Sequence, residues 1–209
     1  MFSGFELLSG SKIVNYEELL HNPIETIPQV GRFHIEKPDC NNSLEMLHID
    51  NRNIDTVAAF FYHGMDRVYE TGIEQRCELA LGFYGRIKEN MGITSEIGFS
   101  FFEDPMTLGG FDRYTNRITL SADMLQNADC RDLLSTIVHE ARHSFQLKEV
   151  STHDSIVPEG IRSSWKYNFD HYIPPELDYQ NYRSQPIEKD AYQYEETIMK
   201  QGIAASIIS

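Results

Sequence analysis

Two histidines four residues apart, with a glutamate directly after the first, stand at His139-Glu140-Ala141-Arg142-His143. On an α-helix, residues four apart share a face, so both imidazoles can reach one tetrahedral Zn²⁺. Glu140 is rotated around the same helix and falls beside the metal's open position, where a carboxylate serves as general base toward water. With 8 histidines in 209 residues, random placement supplies this pattern about 0.03 times per chain, so the spacing is informative. A catalytic zinc needs a third protein ligand and one open position. Four downstream residues compete for that corner. Glu188 lies in the first turn of a C-terminal helical stretch, and small Ala191, three residues on, permits a close helix crossing. It is the preferred ligand. Asp190 shares that stretch but sits about 200° around it from Glu188. Glu149 follows His143 by six residues, where another zinc-peptidase pattern places a histidine, but that pattern turns the chain on a glycine where this sequence has Gln146. His153 is an option only if its loop folds back.

The stretch His139-Glu140-Ala141-Arg142-His143-Ser144-Phe145-Gln146, followed by Pro186-Ile187-Glu188-Lys189-Asp190-Ala191, resembles the zincin superfamily of metallopeptidases in its glutamate-ligand branch. It looks particularly like small bacterial members with H-E-x-R-H-x-x-Q and a later P-x-E-x-D-A. The resemblance covers residues 139 to about 196. It implies an α+β fold of zincin-like form: a small mixed sheet whose edge strand holds substrate, an active-site helix, and a C-terminal helix that carries the last ligand. It implies His139, His143 and Glu188 on Zn²⁺, Glu140 as the catalytic base, and a peptide or protein substrate. One departure stands out. The thermolysin-like pattern has an aspartate four residues after the ligand glutamate, and here that position is Tyr192, so support of an imidazole falls to Asp190 or Glu195. Donors for a developing oxyanion are available at His171, Tyr172, Tyr179, Tyr182 and Arg183. A non-catalytic binding protein on the same scaffold, or a zinc hydrolase of non-peptide amides, are the alternatives to a peptidase.

These residues need rigid elements. Asp129 precedes the apolar set Leu133, Leu134, Ile137, Val138, Ala141 and Phe145 and is placed to cap the helix that carries the motif. A last helix is expected from Pro186 to Gln201, ended by Gly202. Upstream, apolar residues at helical spacing predict a helix over Ile54 to Tyr69 and another through Ile73, Cys77, Ala80, Tyr84 and Ile87. Ile97, Phe99 and Phe101 alternate as on a strand, and Thr115-Asn116 suits a hairpin turn between residues 111–114 and 117–120. The stretch 150–182, rich in Ser, Asp, Pro and Tyr, is expected to be a long loop with at most a short helix. Its aromatics Trp165, Tyr167, Phe169 and Tyr172 are expected to line the cleft. Residues 1–50 are expected to be an irregular N-terminal extension of one domain spanning 1–209.

Composition narrows the rest. The chain is 41% hydrophobic and 24% charged, the balance of a globular protein. With 32 acidic and 18 basic residues the net charge is -14, which repels phosphate backbones and anionic membranes, so nucleic acid and membrane are not expected partners. No apolar run reaches the roughly 18 to 20 residues that cross a bilayer. The first residues show no signal-peptide pattern, so the expected setting is cytoplasmic, or export without a recognisable signal. Three cysteines, Cys40, Cys77 and Cys130, have no C-x-x-C spacing and suggest neither disulfides nor a thiolate zinc knuckle.

Overall fold

The computed structural model describes Glu6–Ser9, Lys12–Asn15 and residues 50–62, 72–102 and 107–208. In chain order the elements are β1 (Glu6–Ser9), β2 (Lys12–Asn15), α1 (Asn51–Tyr62), α2 (Ile73–Met91), β3 (Glu96–Phe101), β4 (Gly109–Asp112), β5 (Arg117–Ser121), α3 (Ala122–Asn127), α4 (Cys130–Ser151), α5 (Glu159–Asp170), α6 (Tyr179–Ser184) and α7 (Pro186–Ile208). The architecture is α+β, with one small mixed sheet and several helices.

The sheet order is β2-β1-β3-β5-β4. Its centre is parallel, β1 with β3 and β3 with β5, and both flanks are antiparallel. The strands β1 and β2 are regular structure within residues 1–50, expected to be an irregular extension; the other residues of 1–49 lie outside the described ones. The register of β1 and β2 pairs Ser9 with Lys12. Ile97, Phe99 and Phe101 pack into the core as their alternation requires, with Ile118 and Leu120 of β5 fully buried beside them. The β4–β5 turn takes four residues, closed by the Asp112 carboxylate, which accepts from the Tyr114 N–H at 2.8 Å and the Thr115 hydroxyl at 2.7 Å. Asn116, a residue type that tolerates the left-handed region, sits there at φ 51°.

The helix α4 runs through the centre, packed on α2, α5 and α7 and against β4 and β5. Asp129 caps it as expected, its Oδ1 accepting from the Asp132 N–H at 2.8 Å. Leu133, Leu134, Ile137, Val138 and Ala141 are completely buried. The helix is therefore surrounded along its middle, and the polar residues within it must find partners in the interior.

Three boundaries differ from the sequence-based expectation. The helix α1 begins at Asn51, and its expected continuation to Tyr69 passes outside the described residues. The stretch 150–182 holds a helix of 12 residues, α5, where at most a short one was expected. The spacing Ile161, Trp165, Phe169 puts apolar side chains on one stripe, and burial of Trp165 and Phe169 decides the conformation over the polar composition. Finally, α7 passes through Gly202 and reaches Ile208. There a Cβ would stand 2.5 Å from Val57 Cβ and 3.1 Å from the Ile54 carbonyl. The glycine lets α1 and α7 cross closely and does not end the helix.

Candidate metal centre

Each ligand candidate is held by a different local device. His139 and His143 project from α4, which its cap and apolar stripe fix in place. Glu188 stands in the first turn of α7, where a carboxylate is favoured by the helix dipole. That turn is pinned from α5: the Asn168 side-chain oxygen accepts from the Ile187 N–H at 3.1 Å, while its amide donates to Gln185 Oε1 at 2.8 Å. Gln185 also accepts from the Ile173 N–H at 2.8 Å. The helix α5, longer than the sequence reading allows, thus locates the start of the one that carries Glu188.

His139, His143 and Glu188 come together with one ligand atom each within 4.8 Å of the others, all three buried. His139 Nε2 lies 3.4 Å from Glu188 Oε2, His143 Nε2 lies 3.5 Å from Glu188 Oε1, and the two Nε2 atoms are 3.2 Å apart. Glu188 is only 1% exposed, and its Oε2 is buried without a hydrogen-bond partner. An orphaned carboxylate oxygen converging with two imidazole nitrogens fits a bound cation and is costly without one. The set could therefore hold a metal ion.

Charge distribution around the centre is uneven. Burial pushes the pKa of both imidazoles down, but Glu188, Glu140 and, for His139, Glu195 outweigh it, so both are raised, His139 well above the usual value. Burial pushes the Glu188 carboxyl up and the two imidazoles outweigh that too, leaving it well below the carboxylate range. Glu140 behaves oppositely. Its burial is the largest effect, reinforced by Glu188 and Glu195 and only partly offset by the histidines, and its pKa is raised. Among the described residues no hydrogen bond or ion pair engages the Glu140 carboxylate, which lies next to the cluster without joining it.

The other candidates separate cleanly. Glu149 is buried but faces away into the 152–157 turn, accepting from Ser155 Oγ at 2.6 Å and the Ile156 N–H at 3.2 Å. His153 is exposed. Neither belongs to the cluster. Asp190 pairs with Arg142 through two bonds of 2.8 and 3.0 Å and does not approach the ligands directly. Glu195 Oε2 stands 3.5 Å from His139 Nδ1, and the other oxygen of that carboxylate accepts from Ser135. His143 Nδ1 meets Gln146 Oε1 at 2.9 Å. Tyr192, in the place of the thermolysin-like aspartate, lays its ring 4.3 Å from that of His139, with the Arg183 guanidinium 3.4 Å above it.

Of the oxyanion donors considered, Tyr172 is the one bonded to a ligand, its hydroxyl donating to Glu188 Oε1 at 3.0 Å. Tyr182 lies nearby, its hydroxyl pKa pushed up by burial and by Glu188 and Tyr192. His171 stacks on Tyr167 at 4.1 Å, both exposed, and Tyr179 is exposed. The expectation that four aromatics of 150–182 line a cleft is corrected for two of them: Trp165 and Phe169 belong to the hydrophobic core. Cys40 lies outside the described residues, and Cys77 and Cys130 are buried. Among the described residues no helix is long and apolar enough to cross a membrane. Gln146 enters the sequence reading as the last residue of the H-E-x-R-H-x-x-Q stretch and as the place where a glycine is missing, without a role of its own; its three-residue spacing from His143 is the available signal of its contact.

Comparison with known protein families, with curated proteins and with solved structures finds no match to this chain.

Proposed function

We propose that this chain is a zinc-dependent metallopeptidase of the glutamate-ligand zincin kind, with His139, His143 and Glu188 as ligands, Glu140 as general base and a peptide or protein as substrate. The observation that carries the reading is the pairing of two features. Three donor groups converge in the interior with an orphaned oxygen between them, and a buried carboxylate, with no hydrogen bond among the described residues, stands one residue from the first of them. Either alone has structural explanations; together they are the parts of a hydrolytic centre.

When bound, zinc supplies Lewis acidity, lowering the pKa of water toward about 7 and polarising a carbonyl. The chain's own groups do the rest. Glu140, its pKa raised by burial, accepts a proton from the attacking water and delivers it to the leaving amine, a task that favours a base poised nearer neutrality than an ordinary carboxylate. Tyr172, 3.0 Å from Glu188, is the hydroxyl best placed to turn toward negative charge developing on the substrate oxygen. The net charge of -14 favours basic or neutral peptides over acidic ones. Two histidines and a carboxylate also hold Fe(II) in oxygenases; the base at position 140 is what favours zinc and hydrolysis here.

The test is Glu140→Gln in zinc-loaded protein. Glutamine keeps the shape and cannot take the proton. Zinc content should stay at one per chain while hydrolysis of a peptide panel falls by about 10²- to 10⁴-fold. A parallel panel of small amides separates a peptidase from a hydrolase of non-peptide bonds. Loss of the metal in this variant would make Glu140 a ligand, and unchanged hydrolysis would remove it from the chemistry.

A further inference from the structure

The ring of a ligand histidine is useful to a metal only if the nitrogen facing the ion is the one without a proton, and that choice is made by the partner of the other nitrogen. For His143 the partner is Gln146, whose Oε1 lies 2.9 Å from Nδ1. A glutamine amide can point either way, so its own partners must set it. They do so without ambiguity. Gln146 Nε2 donates to the Ile187 carbonyl at 2.9 Å and to Asp190 Oδ2 at 2.7 Å. A carbonyl and a carboxylate can only accept, so the amide nitrogen must face them and the oxygen must face His143. His143 Nδ1 then carries a proton, and Nε2, on the side of Glu188 and His139, is the nitrogen whose lone pair is left for a metal ion. Gln146 is fully buried, so no water competes for these contacts.

Asp190 is held in turn by Arg142 at 2.8 and 3.0 Å. The guanidinium is 1% exposed and stacks among the rings of Phe145, Trp165 and Tyr194 at 4.7, 5.8 and 4.4 Å. The chain of contacts therefore runs from a buried cation on α4, through a carboxylate on α7, back to an amide on α4 and on to the His143 ring. We infer that Gln146 is the positioning residue that fixes the His143 tautomer for metal binding, and that Asp190 acts on the metal centre only through it. This deepens the metal-site reading above and rests on it for the identity of the ion, while the tautomer itself does not require one.

The experiment reads histidine side-chain nitrogens by long-range ¹H–¹⁵N correlation and zinc affinity by chelator competition, with no substrate involved. In zinc-loaded protein His143 should show an Nδ1–H that is shifted downfield and protected from exchange. Gln146→Leu should lose that protection and bind zinc about 10- to 100-fold more weakly, the usual effect of removing a support behind a ligand. Asp190→Ala should weaken zinc binding in the parent chain but not further in the Gln146→Leu background, because its action passes through the amide. If the substituted chains do not fold, the parent chain still decides: metal-free and at a pH high enough for a singly protonated ring, it should show the Nδ1–H form. A parent His143 with its proton on Nε2, a folded Gln146→Leu chain with undiminished zinc affinity, or additive effects of the two substitutions would each overturn the inference. Absence of peptide hydrolysis would touch only the proposed function, and absence of zinc uptake only the identity of the ion.

Discussion

Removing Glu188 tests the third corner of the site. Zinc held by four protein ligands is worth roughly 10 to 16 kcal/mol, so one ligand carries about 2.5 to 4 kcal/mol. At about 1.4 kcal/mol per tenfold, Glu188→Ala should weaken zinc binding by about 10²- to 10³-fold. The loss of metal must be distinguished from loss of fold, because the carboxylate also matters in the metal-free chain. Its pKa is lowered on folding, since the imidazoles of His143 and His139 outweigh the effect of burial. A lowered carboxyl contributes stability above its unfolded pKa and loses it as pH falls through the folded one. At neutral pH the metal-free variant should therefore melt somewhat lower than the parent while keeping its helical spectrum. Chelator competition at neutral pH, on samples well below their melting temperatures, gives the affinity. Two controls sharpen the reading. Glu149→Ala strips the acceptor from Ser155 and the Ile156 N–H and should lower Tm without moving zinc affinity, and exposed His153→Ala should move neither. Zinc affinity within threefold of the parent in Glu188→Ala, or a collapse of affinity in either control, would refute the ligand set.

Two predictions test the frame around the site. Gly202→Ala should destabilise by about 1 to 2 kcal/mol, since the new Cβ meets rigid Val57 Cβ at 2.5 Å and the overpacking exceeds the roughly 1 kcal/mol of helix propensity gained; Gly82→Ala, with nothing within 4 Å, should stabilise, and thermal melts of the two showing the same sign would contradict the close crossing of α1 and α7. Burial, aided by Glu78, pushes the Cys77 thiol up to about 11, so in the native chain it stays protonated and should resist a thiolate-selective reagent at pH 8, reacting once the chain is unfolded; rapid native labelling assigned to Cys77 would show the α2 face to be open.

The parts of the fold that were legible in the sequence are those in which one physical effect dominates. In α4 the cap at Asp129 and the stripe from Leu133 to Phe145 agree with each other, and both are present in the structure. The alternation of Ile97, Phe99 and Phe101 likewise survives as β3. Misreadings arose where a local signal is overridden by a distant partner. Gly202 ends a helix by local rules, but Val57 of α1 occupies the space a side chain would need, so the glycine serves the crossing. The region of α5 looks polar by composition, yet Trp165, Asn168 and Phe169 are buried because α4 and the start of α7 need something to pack on and bond to. The β1–β2 hairpin rests on strands of four residues, too short for alternation to register.

The site divides along the same line. Contacts within one helix follow from its 3.6-residue period, so the convergence of His139 and His143, and the contact of His143 with Gln146, are implicit in spacing alone. Contacts between helices depend on where α4 and α7 cross, which no period supplies. The rotation that puts Asp190 about 200° from Glu188 correctly separates it from the ligands, but only the crossing reveals that it meets Arg142 and Gln146 instead. Asp190 and Glu195, between which the sequence offered no choice, turn out to serve different rings: Glu195 faces His139, and Asp190 reaches His143 through an amide. Tyr192 and Glu195 divide the surroundings of His139 between them. Tyr192 contributes a packing surface for the ring, while Glu195, three residues further along the same helix and so on a neighbouring face, brings its Oε2 to 3.5 Å from Nδ1, which has no hydrogen-bond partner among the described residues. The ring is therefore placed by packing and by charge, and not by a hydrogen bond at Nδ1.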